Sequence, residues 1–174
     1  MALGVYEMKK IIRLVLTVIL LINLSACNKD DDYKAPHEQY NEIGKTIITC
    51  FENKDTETLI SLFSENMKAN HDLENEIERA FDLLDSEIVE YGEIHSSVGG
   101  GDIREEGYVK REGRGTIEDI ITESGTKYII EFKIRDIDKD NEENVGVMNI
   151  WIINQDIGEE YGCAPERFRD IGEQ

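Results

Sequence analysis

Residues 128–135 read YIIEFKIR. Tyr128, Ile130, Phe132 and Ile134 alternate with Ile129, Glu131, Lys133 and Arg135, the two-residue period of a strand with one buried and one wet face. Just upstream, Ser124 and Gly125 make a hairpin turn. Before it come two more β-rich runs, 108–111 and 116–122, separated by Gly113 and Gly115, which predict a bend or bulge. Further upstream, residues 87–97 (EIVEYGEIHSS) are β-rich and close at VGGGD, residues 98–102. Downstream of the key strand an acidic loop at 136–144 leads into residues 145–153, apolar on both faces. The polar tail, 156–174, is expected to be loosely held.

N-terminal to these strands the period lengthens to that of a helix. Over 37–53 the apolar positions are Tyr40, Ile43, Ile47, Cys50 and Phe51, at steps of three and four. Asp55 or Thr56 caps a short second helix that buries Leu59, Ile60, Leu62 and Phe63. A loop is expected from Asn66 to Asn70, then a third helix with Leu73, Ile77, Ala80, Phe81 and Leu84 on one side. Helices followed by antiparallel strands give the α+β class, in one domain over 37–155 without internal repeats.

The chain carries 38 acidic against 19 basic residues, a net charge of −19. Phosphate affinity comes from basic side chains, so nucleic-acid binding is excluded. Residues 11–22, IIRLVLTVILLI, are too short and too interrupted for a spanning helix of about 20 apolar residues. With Lys9 and Lys10 ahead of them they read as an export signal over 1–26. Met8 is the natural start of that signal; residues 1–7, with acidic Glu7, read as an over-extended beginning. The run Leu24, Ser25, Ala26, Cys27 resembles the lipobox of bacterial lipoproteins, in which the Cys is diacylglycerated and becomes the new N-terminus. Two acyl chains suffice for lasting attachment, at about 0.8 kcal/mol per buried methylene. Residues 27–36 are charged, end in Pro36, and read as a flexible acidic tether. The expected location is the bacterial cell envelope, on the extracytoplasmic side of the membrane.

Three N-terminal helices before a curved antiparallel sheet resemble the nuclear transport factor 2-like superfamily, which includes ketosteroid isomerases and polyketide cyclases. The likeness covers residues 38–154 and is carried by Asn53, Lys54 and Asp55 through Leu62, Phe63 and Ser64, and by the strand spacing. More narrowly, Val98-Gly99-Gly100-Gly101 and the run from Asp136-Ile137-Asp138 to Asn144-Val145-Gly146 resemble the bacterial lipoprotein family called domain of unknown function 5104, which brings no activity with it. The superfamily implies helices closing one side of a cone-shaped sheet, a concave pocket, and an open face that often makes a dimer. Met148, Ile150 and Ile152 are the candidate dimer face, because an apolar second face must be covered.

Catalytic members of that superfamily place Asp, Tyr or His in the pocket. Here Tyr91, His95, Asp102, Tyr108 and Tyr128 are the candidates, with Glu93 on the strand face of Tyr91 and His95. A His beside a carboxylate suits a general base near neutral pH, although a bulge at Gly92 would reverse the parity. Asp136, Asp138, Asp140, Glu142 and Glu143 invite a calcium reading. The helix-loop-helix pattern fails, with Asn141 and Val147 at the sixth and twelfth positions where Gly and Glu are required. Gly99 to Gly101 precede a strand, not the helix of a phosphate cradle. His37, His71 and His95 lack metal-ligand spacing; no metal or cofactor is expected. Cys50 and Cys163 are either a disulfide or two free thiols, the latter favoured because the domain is large enough to stand unstapled.

The expected function is therefore a membrane-tethered domain that binds a partner protein or small ligand, with an isomerase- or cyclase-like enzyme as the alternative. Replacing Cys27 by Ser is expected to remove the acyl mass and move the chain from the membrane pellet to the soluble fraction. Mass spectrometry of the two fractions checks both.

Overall fold

The computed structural model describes residues 31–105 and 107–164. The export signal, the lipobox residues Leu24, Ser25 and Ala26, and Cys27 lie outside the described residues, as does the tail from 165. The chain divides into two units, residues 1–36 and 37–174.

Among the described residues four helices lead: α1 (Asp31–Asn53), α2 (Thr56–Leu62), α3 (Glu65–Asn70) and α4 (Leu73–Asp82). Six strands follow: β1 (Ile88–Glu90), β2 (Ile94–Arg104), β3 (Gly107–Thr122), β4 (Lys127–Asp138), β5 (Gly146–Asn154) and β6 (Glu160–Cys163), with a 3-10 turn at Glu142–Asn144. The class is α+β, as expected, but with one helix more than the expected three. Residues 66–70, expected as a loop, lie in α3. Ser64 caps it, accepting the Met67 N–H at 3.3 Å, and Met67 turns into the core. The polar Asn66 and Asn70 mark its wet side, which composition alone reads as loop. Helix α1 starts at Asp31, so the last six residues of the expected tether are helical. Polarity excludes burial, not helicity, and Pro36 removes only one backbone donor.

All neighbouring strands are antiparallel, in the order β1-β3-β4-β5-β6, with β2 also pairing β3. β1 and β2 together make one edge strand broken at residues 91–93. Opposite the break β3 bulges between Ile117 and Ile120, with Asp119 at φ 51°. The bulge puts Ile117 and Ile120 on the same inner face. Gly99 to Gly101, expected as a rim loop, continue β2 through a bulge between Val98 and Gly101. The two runs of β3 that Gly113 and Gly115 were expected to divide form one 16-residue strand.

The inner face meets the helices. Tyr40, Ile47, Ile48 and Phe51 from α1 pack with Leu59, Phe63, Ile77 and Phe81 over Ile130, Phe132, Ile134, Ile150 and Ile152. Phe51 and Phe81 meet edge to face, with ring centroids 5.0 Å apart. The glycines of β3 make room for the rings: a Cβ on Gly113 would lie 2.0 Å from Tyr40, and one on Gly115 2.0 Å from Phe132. On the helix side, a Cβ on Gly44 would come to 2.8 Å from Ile94 and 3.1 Å from Phe132. They are packing slots, not breaks.

The expected dimer face is corrected. Met148, Ile150 and Ile152 are 9 %, 1 % and 1 % exposed and belong to the chain's own core. β5 shifts register where Lys133 pairs Asn149 and Ile134 pairs Val147, leaving Met148 as the extra residue. The shift turns Val147 inward with Ile150 and Ile152, which is why the strand reads as apolar on both faces. The tail is not loose up to residue 164: β6 pairs with β5, and Cys163 and Ala164 are buried. The Ala164 N–H donates to Glu76 Oε2 at 2.6 Å, tying the strand's end to α4.

Gly115→Ala is expected to cost about 1–3 kcal/mol by overpacking against Phe132. Urea unfolding checks it: the midpoint falls while the slope stays unchanged. A Phe132→Leu change in the Gly115→Ala background recovers part of the loss.

Candidate functional site

The pairing register lays out the sheet's outer face, away from the helices, in transverse rows. One row runs His95, Thr116, Glu131, Trp151, Gly162 across five strands. The next runs Ser97, Arg114, Lys133, Asn149. Alternation along each strand puts all these side chains on the face opposite Phe132 and Ile150. Of these, His95, Ser97, Arg114, Thr116, Glu131, Asn149 and Trp151 line a depression of about 280 Å³. A Cβ on Gly162 would come to 2.9 Å from three carbons of the indole's six-membered ring. The ring therefore lies flat over that glycine, with its other face turned away from the sheet.

The expected pocket residues do not gather. His95 is the one that reaches this depression; its side chain is 57 % exposed, 3.7 Å from Glu118 and 4.0 Å from Glu93. Tyr91 is exposed in a separate shallow hollow with Asn41 and Lys45. Asp102 is exposed at the far end of β2, 3.5 Å from Arg104. Tyr108 is half-buried beneath the Arg111 guanidinium, 5.4 Å from its ring centroid. Tyr128 is fully buried, and its hydroxyl donates to the Leu83 carbonyl and accepts the Asp85 N–H. The pleat and the break at residues 91–93 separate these five: Tyr128 is buried against the helices, Tyr91 lies beside α1, and His95 faces outward.

On the helix side the space is filled by Tyr40 and an ion pair. Arg111 donates to both carboxylate oxygens of Asp136, at 2.9 Å and 3.1 Å from Nε and 2.5 Å from Nη2, and the Asp136 side chain is 3 % exposed. Burial and the adjacent Asp136 carboxylate raise the Tyr40 phenol well above its ordinary range. Asp138 accepts from the Asn144 amide, the Asn141 N–H and Arg135. Two of the aspartates behind the calcium reading are thus engaged within the fold. Among the described residues, no three His, Cys, Asp or Glu side chains are grouped to hold a metal ion. Burial pushes the free thiols of Cys50 up to about 11 and of Cys163 up to about 12, with Asp55 and Glu76 adding to it. Both stay protonated and inert.

The helix-to-strand chain with a Gly-rich β2 and the acidic β4–β5 connection matches a family model described as "Domain of unknown function (DUF5104)" over residues 46–155. The chain belongs to this family. No curated protein matches it. The matched DUF5104 span runs from the second half of α1 to the end of β5, so it takes in every member of the two outer rows except Gly162 on β6. Among the described residues no helix is long and apolar enough to cross a membrane.

Sequence reasoning missed Arg114, Thr116, Glu131 and Trp151 as neighbours. The Ser124-Gly125 turn pairs β3 with β4, and that register was within reach. Residues 145–153 read as apolar on both faces, so nothing in them singles out Trp151.

At the end of the outer face, Glu112 bonds Lys133 at 2.7 Å and Arg135 at 2.8 Å. Burial alone would raise the Glu112 carboxyl, but these cations overcome it and hold it below its ordinary value. Asp138 behaves alike: burial opposes, and Asn144 with the Asn141 N–H prevails. A depressed folded pKa adds stability that is present above the ordinary carboxylate range of about 4 and is lost as pH falls through the folded value. Urea midpoints measured from pH 7 down to 3 are expected to drop below about pH 4, and Glu112→Gln is expected to flatten that drop.

Proposed function

We propose that this DUF5104 chain is a bacterial lipoprotein, anchored through acylated Cys27 on the extracytoplasmic side of the membrane, whose domain binds a ligand or partner without catalysing a reaction. The site is the outer face of the sheet around Trp151. One observation carries this reading: the helix-facing side is filled by Tyr40, Phe132 and the Arg111–Asp136 pair, whereas the outer face keeps a lined depression with a flat aromatic ring at its edge. Binding sites are concave, with an apolar surface and a few placed polar groups, and the Trp151 depression meets that description.

The four helices packed on one face of the sheet support a nuclear transport factor 2-like cone, with Gly44 letting α1 settle onto Phe132. In this chain the proposed binding surface lies on the side of the cone away from the helices. The isomerase- or cyclase-like alternative needs Tyr, His and Asp around one enclosed point. Tyr91, Asp102 and Tyr128 lie apart from His95, so no specific observation favours it.

Native mass spectrometry of the lipidated chain released from membranes tests the reading. A mass beyond the acylated polypeptide is expected, and its complete loss in Trp151→Ala. Acylated chain alone in both samples sinks it.

A further inference from the structure

We infer that the Trp151 depression is a saccharide site, taking one or two uncharged sugar rings. The inference rests on the reading of the outer face as a binding face and names what it takes. Three features select this class.

The first is the platform. Trp151 lies flat over Gly162, and only a glycine permits it: any Cβ there would stand 2.9 Å from the ring carbons. A flat indole offers a broad face carrying the negative side of its quadrupole. The axial C–H groups of a pyranose, polarised by the neighbouring oxygens, lie on such a face as weak donors.

The second is the set of polar groups beside the platform. Glu131 is directly opposite Trp151 on β4, Thr116 is opposite Glu131 on β3, and His95 is opposite Thr116 on β2. Arg114 and Asn149 line the same depression. Neighbouring strands are about 4.8 Å apart, so this row sets carboxylate, hydroxyl and imidazole at successive steps away from the ring. Vicinal sugar hydroxyls, each both donor and acceptor, suit such a mixed row. The volume of about 280 Å³ is just below the roughly 300 Å³ at which pockets for larger ligands begin, which sets the limit of one or two rings.

The third is charge. The chain's net −19 repels free anions at long range. A quaternary ammonium ligand is held best by several aromatic faces, and Trp151 is the chain's single tryptophan. The other ring at the depression belongs to Phe132, which is 2 % exposed and points to the helices. With the cationic Arg114 and the anionic Glu131 both lining the site, a neutral polyol is favoured over either ion.

Because Trp151 is the single tryptophan, its emission reports on this site alone. The full-length chain in a detergent without sugar headgroups is titrated with N-acetylglucosamine, chitobiose and cellobiose, and separately with glycine betaine and adenosine. The expected result is a saturable emission shift with at least one saccharide and none with betaine or adenosine. Gly162→Ala, which lifts the ring, and Glu131→Gln are each expected to weaken that binding at least tenfold. Glu131 is exposed, so its variant keeps the parent's circular dichroism and separates loss of binding from loss of fold. A shift with betaine or adenosine and with none of the saccharides overturns the sugar class while leaving the outer face a binding face. No shift with any probe, in a chain whose native spectrum carries no extra mass, overturns both.

Discussion

The ring of Phe132 is the piece on which the rest of the structure is set. It sits on the central strand β4 between Gly115 of β3 and Gly44 of α1, with no room for a side chain at either glycine. The long first helix therefore approaches the sheet closely at one place. Tyr40, one turn before Gly44, then falls over Gly113 in the same manner. Two rings in two glycine slots fix both the position of α1 and the face of β3 that it covers. Close packing of this kind leaves little freedom, because interiors are as dense as organic crystals.

That packing decides which side of the sheet is left to do anything else. The inner side holds aromatic and branched side chains, and its buried Arg111, Asp136 and Tyr40 phenol are engaged with one another. A buried pair of this sort contributes little net stability, although removing one partner is costly. Asp138, where β4 turns towards β5, is likewise engaged. Asp138 closes that turn through Asn141 and Asn144, and Asp85 gathers the hydroxyls of Ser124, Thr126 and Thr122, which hold its carboxyl far below the usual range. The outer side carries the rows around Trp151. In a chain with twice as many acidic as basic residues, the basic side chains Arg114, Lys133 and Arg135 lie together on one sheet face, interleaved with Glu112 and Glu131.

Much of the fold was legible in residue order. The helical stripe of α1, the Asp55 cap of α2, the Ser124-Gly125 turn and the alternation of residues 128–135 each depend on local chemistry. The extra helix α3 escaped because its single buried residue, Met67, makes no periodic pattern over six positions. Strand β6 escaped because a short edge strand, with exposed Glu160 and a small Gly162, reads as polar tail. The candidate site was legible only at His95. Its neighbours come from strands up to 67 residues away along the chain, and no local spacing announces them.

The sequence by itself determined the α+β class, the order of helices before strands, the inward residues of β4, and the twofold excess of acidic over basic residues. These follow from periodicity and composition, which act over a few residues or over the whole chain. Only the tertiary structure decided which way β5 faces, because both of its faces are apolar and a bulge at Met148 sets Val147 on the side of Ile150 and Ile152. It alone brought Trp151 over Gly162 and set Glu131 beside the indole. Register between distant strands is set by packing of the whole core, a property no short stretch of sequence contains.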